Sequence, residues 1–339
     1  MLSFLRRASL VAGVALVAVG CQSTGGKGSG GGPETRPAGE TKPKASGSRS
    51  VAELRAATHD SDFSVRFSAV EELGPRASSS EEAAQALVEA LADPAPLVRR
   101  FAAGALARVQ SVSSPMILAL SRLLRDPEVD PRESAARTLA ALAPRAPADS
   151  VPGLASALAA AASDPDESVK TRVVEALGAL GAAGARAVPA VRPALERALT
   201  DSSEQVRGAA AAAIGQLGTG VLWSVTLLTK ALADPVHDVR KQAVVALEKM
   251  GPDAAPATKA LARQLHGKEI YLRVFAADAL AAIGPGARAA LPDLKALKAR
   301  GWKDLENSPE SEATQLPEAV ARAIKNIEAK ETKKGTKKP

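Results

Sequence analysis

A pattern that recurs about every 33 residues constrains this chain more than any other feature. In its clearest copy, residues 234–251, the order is Asp, four residues, Val, Arg, two residues, Ala, three residues, Leu. Seven copies follow one another at intervals of 33 to 38 residues. Their Val position, which we call the register position, is held by Val65, Val98, Pro131, Val169, Val206, Val239 and Leu272. A near-constant period of this length predicts an array of repeated units rather than several globular domains.

Each unit has the sequence of two helices. In the clearest copy, Val239, Ala243 and Leu247 fall on one stripe of a helix with 3.6 residues per turn. A second apolar run, with leucines four residues apart, ends just before the aspartate. The dipeptide Asp-Pro, as at Asp234 and Pro235, predicts a tight turn between the two helices, since proline cannot continue a helix and aspartate caps backbone donors.

Glycine followed by proline predicts where second helices end. The second helix is expected to end at a C-cap glycine at Gly74, Gly251 or Gly284. Beyond Gly284, one more helix is predicted over residues 287–299.

This pattern resembles the HEAT-repeat family, in particular the short bacterial HEAT repeats also found in phycobilin-lyase-type proteins. The resemblance covers about residues 51–327. It implies an all-α fold, a right-handed α-α superhelix (a HEAT-like solenoid) of about eight helix pairs, with the second helices lining a concave face. The residues agree with that implication, because one helix pair cannot bury its apolar side alone whereas stacked pairs build a continuous core.

Two charged positions keep the period of the repeat. The aspartates are Asp93, Asp126, Asp164, Asp201 and Asp234, and the arginines are Arg66, Arg99, Arg132, Arg207, Arg240 and Arg273. The row of arginines has two interpretations, a site for an acidic ligand or a structural ladder. Because aspartate and arginine share one period, we favour a ladder in which each arginine pairs with an aspartate or a helix-end carbonyl across units.

The N-terminus has the features of a bacterial lipoprotein signal. Two arginines precede an apolar run of about 12 residues, shorter than the ~20 needed to span a bilayer as a helix. The run ends at Cys21, the only cysteine in the chain. We therefore predict a signal peptide over residues 1–21 and lipidation of Cys21. A buried cysteine and an uncleaved signal anchor are the alternatives.

The segments that flank the repeats have no residues with which to build a core. Residues 22–50 are rich in Gly, Ser and Pro and predict a disordered tether with a span on the order of 30 Å. Residues 51–327 are the predicted solenoid, and residues 328–339 a disordered Lys-rich tail. With Gln22 after the predicted lipidated cysteine, we expect a lipid-anchored protein of the cell envelope, on the periplasmic side of the outer membrane.

The net charge of +7 invites a nucleic-acid interpretation, but it belongs to the two ends. Residues 1–50 contain seven basic and two acidic residues, and residues 326–339 contain five and two. The repeats between them have 32 basic and 33 acidic residues. A nucleic-acid interface needs an excess of positive charge to neutralise phosphates. The repeat array has no such excess, which argues against this class.

The residues of common catalytic and metal sites are scarce. The three histidines have neither the spacing of metal ligands nor an adjacent glutamate, and no arrangement places a base beside a nucleophile. We therefore predict no enzyme activity, no catalytic residue, no metal and no cofactor. A nucleic-acid-binding HEAT module and a lyase-like HEAT enzyme remain the alternatives.

The favoured interpretation is a membrane-tethered scaffold, a monomer, that binds a partner protein or peptide on its second helices. Outward positions are expected two, three and six residues after the register position. The predicted partner-binding residues are Arg100, Phe101, Glu133, Arg137, Arg172, Glu175, Lys241, Gln242, Phe275 and Asp278. Their mixed charges predict a polar interface. Aromatic residues are only 2% of the chain, so we expect few anchors and modest affinity.

Overall fold

The computed structural model describes residues 49–181, 184, 189–218, 222–302, 305 and 310–329. Within these ranges the chain consists of helices, turns and connecting segments, with no β-strand. The described helices belong to one compact unit, Ser48–Pro339. The predicted signal segment with Cys21, residues 22–48 of the predicted tether and the tail from residue 330 lie outside the described residues, so they stay predictions.

First and second helices alternate along the chain. The first helices of successive units are α1 (Val51–Ala57), α3 (Glu81–Ala90), α5 (Ser114–Leu123), α7 (Val151–Ala161), α9 (Val191–Ala198), α11 (Leu222–Ala231), α13 (Thr258–Gln264) and α15 (Leu291–Arg300). The second helices are α2 (Phe63–Leu73), α4 (Pro96–Leu106), α6 (Val129–Leu142), α8 (Glu167–Ala179), α10 (Glu204–Gln216), α12 (His237–Met250), α14 (Ile270–Ile283) and α16 (Glu310–Glu328).

The repeated aspartate closes the turn between the two helices of a unit. Its carboxylate accepts a hydrogen bond from the backbone N–H two residues later, at 2.8 Å for Asp93 and Ala95 and at 2.9 Å for Asp234 and Val236. The same bond forms at Asp60, Asp126, Asp164 and Asp201. An aspartate in this position satisfies a donor that the start of the second helix would otherwise leave unpaired.

Leucine and alanine fill the core. The leucines at fully buried positions include Leu87, Leu106, Leu120, Leu139 and Leu177. Four residues after the register position, six of the seven repeats have alanine and α8 has Val173. The alanines at this position are fully buried, as at Ala102, Ala135, Ala210 and Ala276. Small side chains let successive second helices approach closely, which explains how the chain builds a continuous core with so few aromatic residues.

Two glycines mark the closest approaches between second helices. A Cβ on Gly178 would lie 2.6 Å from Ala213 Cα, and a Cβ on Gly215 would lie 2.5 Å from Ala246 Cβ. Both distances are below van der Waals contact, so α8 packs on α10, and α10 on α12, only with glycine at these positions.

Successive second helices contact one another from α2 to α16, and each first helix packs on the second helix of its own unit. Every unit therefore buries its apolar sides against its neighbours in a right-handed α-α solenoid. The helices α1 to α16 form eight pairs, as expected from the repeat. The predicted fold class is confirmed.

Some local expectations need correction. Glycine was expected to end α2, α12 and α14 in the left-handed region. Gly251 and Gly284 do so, with φ of +55° and +66°, but Gly74 has a φ of −49° and starts a short 3-10 segment instead. The helix expected over residues 287–299 begins later, at Leu291, because a 3-10 segment occupies residues 284–290.

One helical stretch among the described residues, Ile270–Arg300, is long and apolar enough to cross a bilayer by length and composition. Half of its apolar window is buried inside the protein. The chain also turns within it at Gly284, between α14 and α15. A core helix of a packed repeat array is also apolar and buried, and it passes the same test of length and composition.

Candidate partner-binding face

Arg99 shows how the charged ladder between units is built. Its Nε and Nη2 donate to the Asp126 carboxylate of the next unit at 2.7 and 2.8 Å. Its Nη1 donates to the backbone carbonyls of Asp93 and Pro94 at 2.9 and 3.0 Å. All three nitrogens of the guanidinium are therefore engaged inside the protein, in the paired geometry that arginine makes with carboxylates.

The same pairing recurs between Arg66 and Asp93, Arg132 and Asp164, Lys170 and Asp201, and Arg207 and Asp234, with nitrogen–oxygen distances of 2.6 to 2.8 Å. None of these side chains is more than 17% exposed. The row of arginines, one interpretation of which was a site for an acidic ligand, is thus occupied by the protein's own carboxylates. These pairs connect each unit to the next.

The last repeat lacks the ladder aspartate, and a glutamate takes its place as the partner of the arginine. Gly267 stands at the aspartate position, and Arg240 Nη2 instead donates to Glu269 Oε1 at 2.8 Å. Its Nη1 keeps the usual bonds to the carbonyls of Asp234 and Pro235. Arg273, the last arginine of the row, is also buried, at 4% exposure. The spacing of the repeat did not reveal the contact with Glu269, because the glutamate lies two residues after the repeated position.

Two of the ladder carboxylates, Asp201 and Asp234, are held in the charged form. Burial by itself would raise the pKa of the Asp234 carboxyl, but hydrogen bonds from Arg207 and from the Val236 N–H, with the charges of two arginines, outweigh it and lower the pKa below its usual value. The pKa of Asp201 is lowered in the same way, as Lys170 and a backbone N–H outweigh burial. Asp201 and Asp234 are therefore carboxylates at neutral pH.

We use the name B face for the side of the second helices formed by positions two, three and six after the register position. All ten predicted partner-binding residues lie on it, and each is exposed or half-buried: Arg100, Phe101, Glu133, Arg137, Arg172, Glu175, Lys241, Gln242, Phe275 and Asp278. Their role in binding a partner stays a prediction.

Several of these residues form ion pairs with one another. Arg172 contacts Glu175 at 3.0 Å, and Glu133 lies 3.9 Å from both Arg172 and Arg137. Farther along, Asp278 pairs with Arg322 at 3.3 Å. These pairs are well exposed, and such pairs contribute little to stability. They leave the middle of the B face with charges of both signs.

Three of the five phenylalanines of the chain meet on the first two second helices, α2 and α4. The rings of Phe63 and Phe67 stack at 5.9 Å, and those of Phe67 and Phe101 meet edge to face at 4.9 Å. Phe63 is 41% exposed, and Phe101 and Leu97, which lies one turn before it on α4, are each 39% exposed. We call Phe63, Phe67, Leu97 and Phe101 the aromatic patch. Contiguous exposed apolar groups of this kind mark interaction sites.

A cavity of about 450 Å³ adjoins the aromatic patch between α2, α4 and α6. The charged side chains that line it are Glu71, Arg100, Arg108 and Arg137. Gly104 occupies the sixth position after the register position, where the neighbouring units have Glu71 and Arg137, and so leaves space open. Arg108 is exposed and has no ion pair within the described residues. Arg100 pairs with Asp130 and Arg137 lies 3.9 Å from Glu133, so Arg108 is the lining arginine whose charge no carboxylate of the described residues balances.

Sequence reasoning found Arg100, Phe101 and Arg137 in this region and missed Phe63, Phe67, Leu97 and Arg108. A signal was present, because Phe67 holds the same position after its register position as Arg100 does. Phe63 precedes Phe67 by four residues, as Leu97 precedes Phe101, and such pairs share one side of a helix. The low aromatic content predicted few anchors, and the structure brings three of the five phenylalanines together.

The middle of the B face is much flatter. On α10 the outward positions hold Gly208, Ala209 and Ala212. On the next helices, Lys241 Nζ lies 5.8 Å from the centre of the Phe275 ring, a cation–π contact. The aromatic patch is therefore a local feature of the first units and not a property of every repeat.

Within the described residues, no group of three or more His, Cys, Asp or Glu side chains could hold a metal ion. His266 Nε2 lies 3.0 Å from Asp293 Oδ1 on the surface. This pair is exposed and contains a single carboxylate, so it offers too few ligands for a metal site.

Comparisons with known proteins concern the whole repeat array. The sequence profile of HEAT repeats matches residues 51–140, 157–248 and 191–269. Among curated protein sequences, none matches this chain. An engineered protein solved by a structural genomics consortium is similar in structure, with a TM-score of 0.55, 24% sequence identity and coverage of 82% of this chain and 78% of that one.

Two natural proteins are also similar. YibA of Escherichia coli has a TM-score of 0.53 and 18% identity, and the alignment covers 86% of this chain and all of that one. The complex of CpcE and CpcF of phycocyanin lyase from Nostoc sp. has 26% identity and a TM-score of 0.42, with coverage of 77% of this chain and 100% of that chain. The likenesses to the engineered protein and to YibA concern the fold alone. Because the HEAT profile matches more than half of the chain and the helices form stacked pairs, the chain belongs to the HEAT-repeat family.

Proposed function

We propose that this chain is a scaffold that binds a segment of a partner protein on its B face, with the aromatic patch as the anchor. One observation carries the proposal. Three of the five large apolar side chains that are exposed in the described residues belong to this patch, where they join Phe67. Folding gains nothing from leaving them in water, and aromatic groups in such clusters supply most of the binding energy of an interface.

The charges around the patch indicate the chemistry of the partner. The adjoining cavity has three arginines and one glutamate, and Arg100 is partly neutralised by Asp130 at 2.9 Å. A carboxylate placed there would make charge-assisted hydrogen bonds. The proposed partner segment therefore has an apolar or aromatic residue for the patch and an acidic residue nearby for Arg108.

Photo-crosslinking in cells tests this proposal. A photoreactive amino acid in place of Phe63 is expected to capture a protein through an acidic, apolar segment, and a peptide with the captured sequence should bind the purified protein. Phe101→Ser should weaken that peptide about thirty-fold, the effect of losing one hot-spot residue. Leu118→Ser is the matched control, since Leu118 is an exposed leucine outside the B face. Equal affinity of all three proteins for the peptide would refute the proposal.

We also propose that the scaffold is held at a membrane of the cell envelope through acylation of Cys21. The support is the sequence of residues 1–21, with two arginines, a short apolar run and the single cysteine of the chain, followed by a Gly-rich segment. Several acyl chains together hold a protein stably at a bilayer.

The intact mass of the membrane-extracted protein tests the anchor. Wild type should begin at an acylated Cys21 and fractionate with the membrane, and Cys21→Ala should be released. An unmodified full-length wild-type chain outside the membrane fraction would contradict the anchor. It would leave the B-face proposal standing, because the crosslinking and peptide experiments do not depend on lipidation.

A further inference from the structure

A second surface with an unusual composition lies on the first helices. The helices α5 and α7 flank a groove of about 640 Å³, which we call the α5–α7 groove. It is more than twice the size of the pocket beside α3 and the start of α5, which measures about 280 Å³. The segment before α7 is lengthened by a 3-10 turn, Ala143–Arg145. The volume of the groove falls within the range of small-molecule sites.

The floor of the groove is apolar. Ile117, Leu154 and Ala157 line it, and Leu118 stands at its edge with 52% of its surface exposed. Leu118 lies outside the buried stripe of α5, which contains Ile117 and Leu120. Its exposure therefore does not follow from packing of the repeat, and a ligand that covered it would remove apolar surface from water.

The two ends of the groove differ in charge. At the C-terminal end of α5, Arg122 and Arg125 line the groove, and both are exposed with no ion pair within the described part of the chain. At the other end, the Ser114 hydroxyl donates to the Asp149 carboxylate at 3.0 Å. Positive charge is therefore unpaired at one end only, next to the apolar floor.

We propose that the α5–α7 groove binds a single-chain fatty acid. Its carboxylate lies between Arg122 and Arg125, and its hydrocarbon chain covers Leu118 and Ala157, above the buried Ile117 and Leu154. The two exposed guanidiniums match one anionic headgroup, and the uncharged floor matches the chain. This site is separate from the aromatic patch, so it stands or falls independently of the function proposed above.

Gly153 supplies a selective way to block the groove. It lines the groove on α7, and a Cβ added there meets nothing within 4 Å. A large side chain at this position occupies the groove without entering the core. Gly208 on α10 has the same open surroundings but lies on the B face, so Gly208→Phe is the matched control for Gly153→Phe.

Isothermal titration with dodecanoate below its micelle concentration tests the site. The full-length chain carries Cys21→Ala in every variant, so that no acyl group of its own competes. We expect one saturable site. The double variant Arg122→Ser, Arg125→Ser should bind about tenfold more weakly through loss of charge-assisted bonds. Gly153→Phe should weaken binding by about tenfold or more through occupation of the groove, with Gly208→Phe unchanged.

Three results would overturn the proposal. One is equal binding of dodecanoate by Gly153→Phe and Gly208→Phe, both shown to be folded by circular dichroism. Another is equal affinity of the wild type for dodecanoate and for dodecyltrimethylammonium, which has the same chain and the opposite charge. The third is binding to phosphatidylglycerol vesicles without binding of dodecanoate, which would assign the arginines to a bilayer surface instead.

Discussion

Arg99 and Arg100 are consecutive in the chain and belong to different parts of the molecule. Arg99 binds Asp126 in the ladder, with side-chain exposures of 12% and 6%, and so connects two units. Arg100 binds Asp130 on the B face, with exposures of 45% and 62%. Each pair joins an arginine to an aspartate of the next unit at 2.7 or 2.9 Å. Both are ion pairs, but Arg99 makes two bonds to its carboxylate and two to backbone carbonyls, whereas Arg100 makes one bond at an exposed site.

This difference separates a position that the packing of the repeats requires from a position that faces solvent. The ladder position has arginine or lysine in all seven repeats, and in the first six of them the side chain pairs with a carboxylate of the next unit. The adjacent B-face position changes from Phe67 to Arg100 to Glu133 along the array. A position that packing does not determine is free to serve a partner, and the aromatic patch occupies such positions.

The sharpest test of this comparison removes the carboxylate from each pair. Asp126→Ala leaves the Arg99 guanidinium enclosed without its partner and should destabilise the protein by about 3 kcal/mol. Asp130→Ala, the matched control, should cost about 0.5 kcal/mol or less, because Arg100 remains solvated. Chemical unfolding measures both. Similar losses in the two variants would mean that the ladder is no more structural than a surface pair.

A second test concerns the packing of the helices that present the B face. Gly215→Ala should destabilise the protein by about 2 kcal/mol, because its Cβ would meet Ala246 Cβ at 2.5 Å. Gly208→Ala on the same helix has open surroundings and should stabilise by about 0.5–1 kcal/mol, since alanine favours the helix. The two midpoints of thermal unfolding should therefore move in opposite directions. A rise in both would show that α10 and α12 approach less closely than described.

The ladder should also be sensitive to acid, with a smaller effect. The pKa of Asp234 is lowered in the folded state, so its stabilising contribution is present above the unfolded pKa and is lost as the pH falls through the folded value. The difference in stability between wild type and Asp234→Asn should therefore be greatest near neutral pH and should shrink below about pH 4. Thermal unfolding at several pH values measures it. A difference independent of pH would exclude the charged pair as its cause.

Glu248 on α12 should show the opposite sign and the smallest effect. Burial, and next the charge of Asp278, raise the pKa of Glu248. The charged carboxylate is therefore unfavourable in the folded protein above that raised value, and the penalty disappears as the pH falls and Glu248 is protonated. Glu248→Gln should stabilise the protein slightly, by less than about 1 kcal/mol at neutral pH, with no gain in acid. Destabilisation at neutral pH would mean that Glu248 serves a favourable pair.

Much of the fold was readable from the sequence because each unit repeats the same local signals. The Asp-Pro turn, the apolar stripe through Val239 and the shared period of aspartate and arginine predicted helix pairs stacked in an array. Local expectations failed at Gly74, because a glycine before proline can also continue in right-handed backbone. They failed at Glu269 too, where a neighbouring residue took over the role of the missing aspartate.

The sequence by itself determined the class of fold, the succession of helix pairs and most residues of the ladder, with Glu269 as the exception, since these depend on contacts repeated at one period. Only the tertiary structure decided that Phe63, Phe67 and Phe101 form one surface, that Arg108 joins it across a cavity, and that Leu118 edges a groove with two unpaired arginines. The physical reason is that a periodic pattern specifies how each unit meets the next. The side chains on the outer faces follow no period, so their meeting depends on how closely, and at what angle, the helices pack.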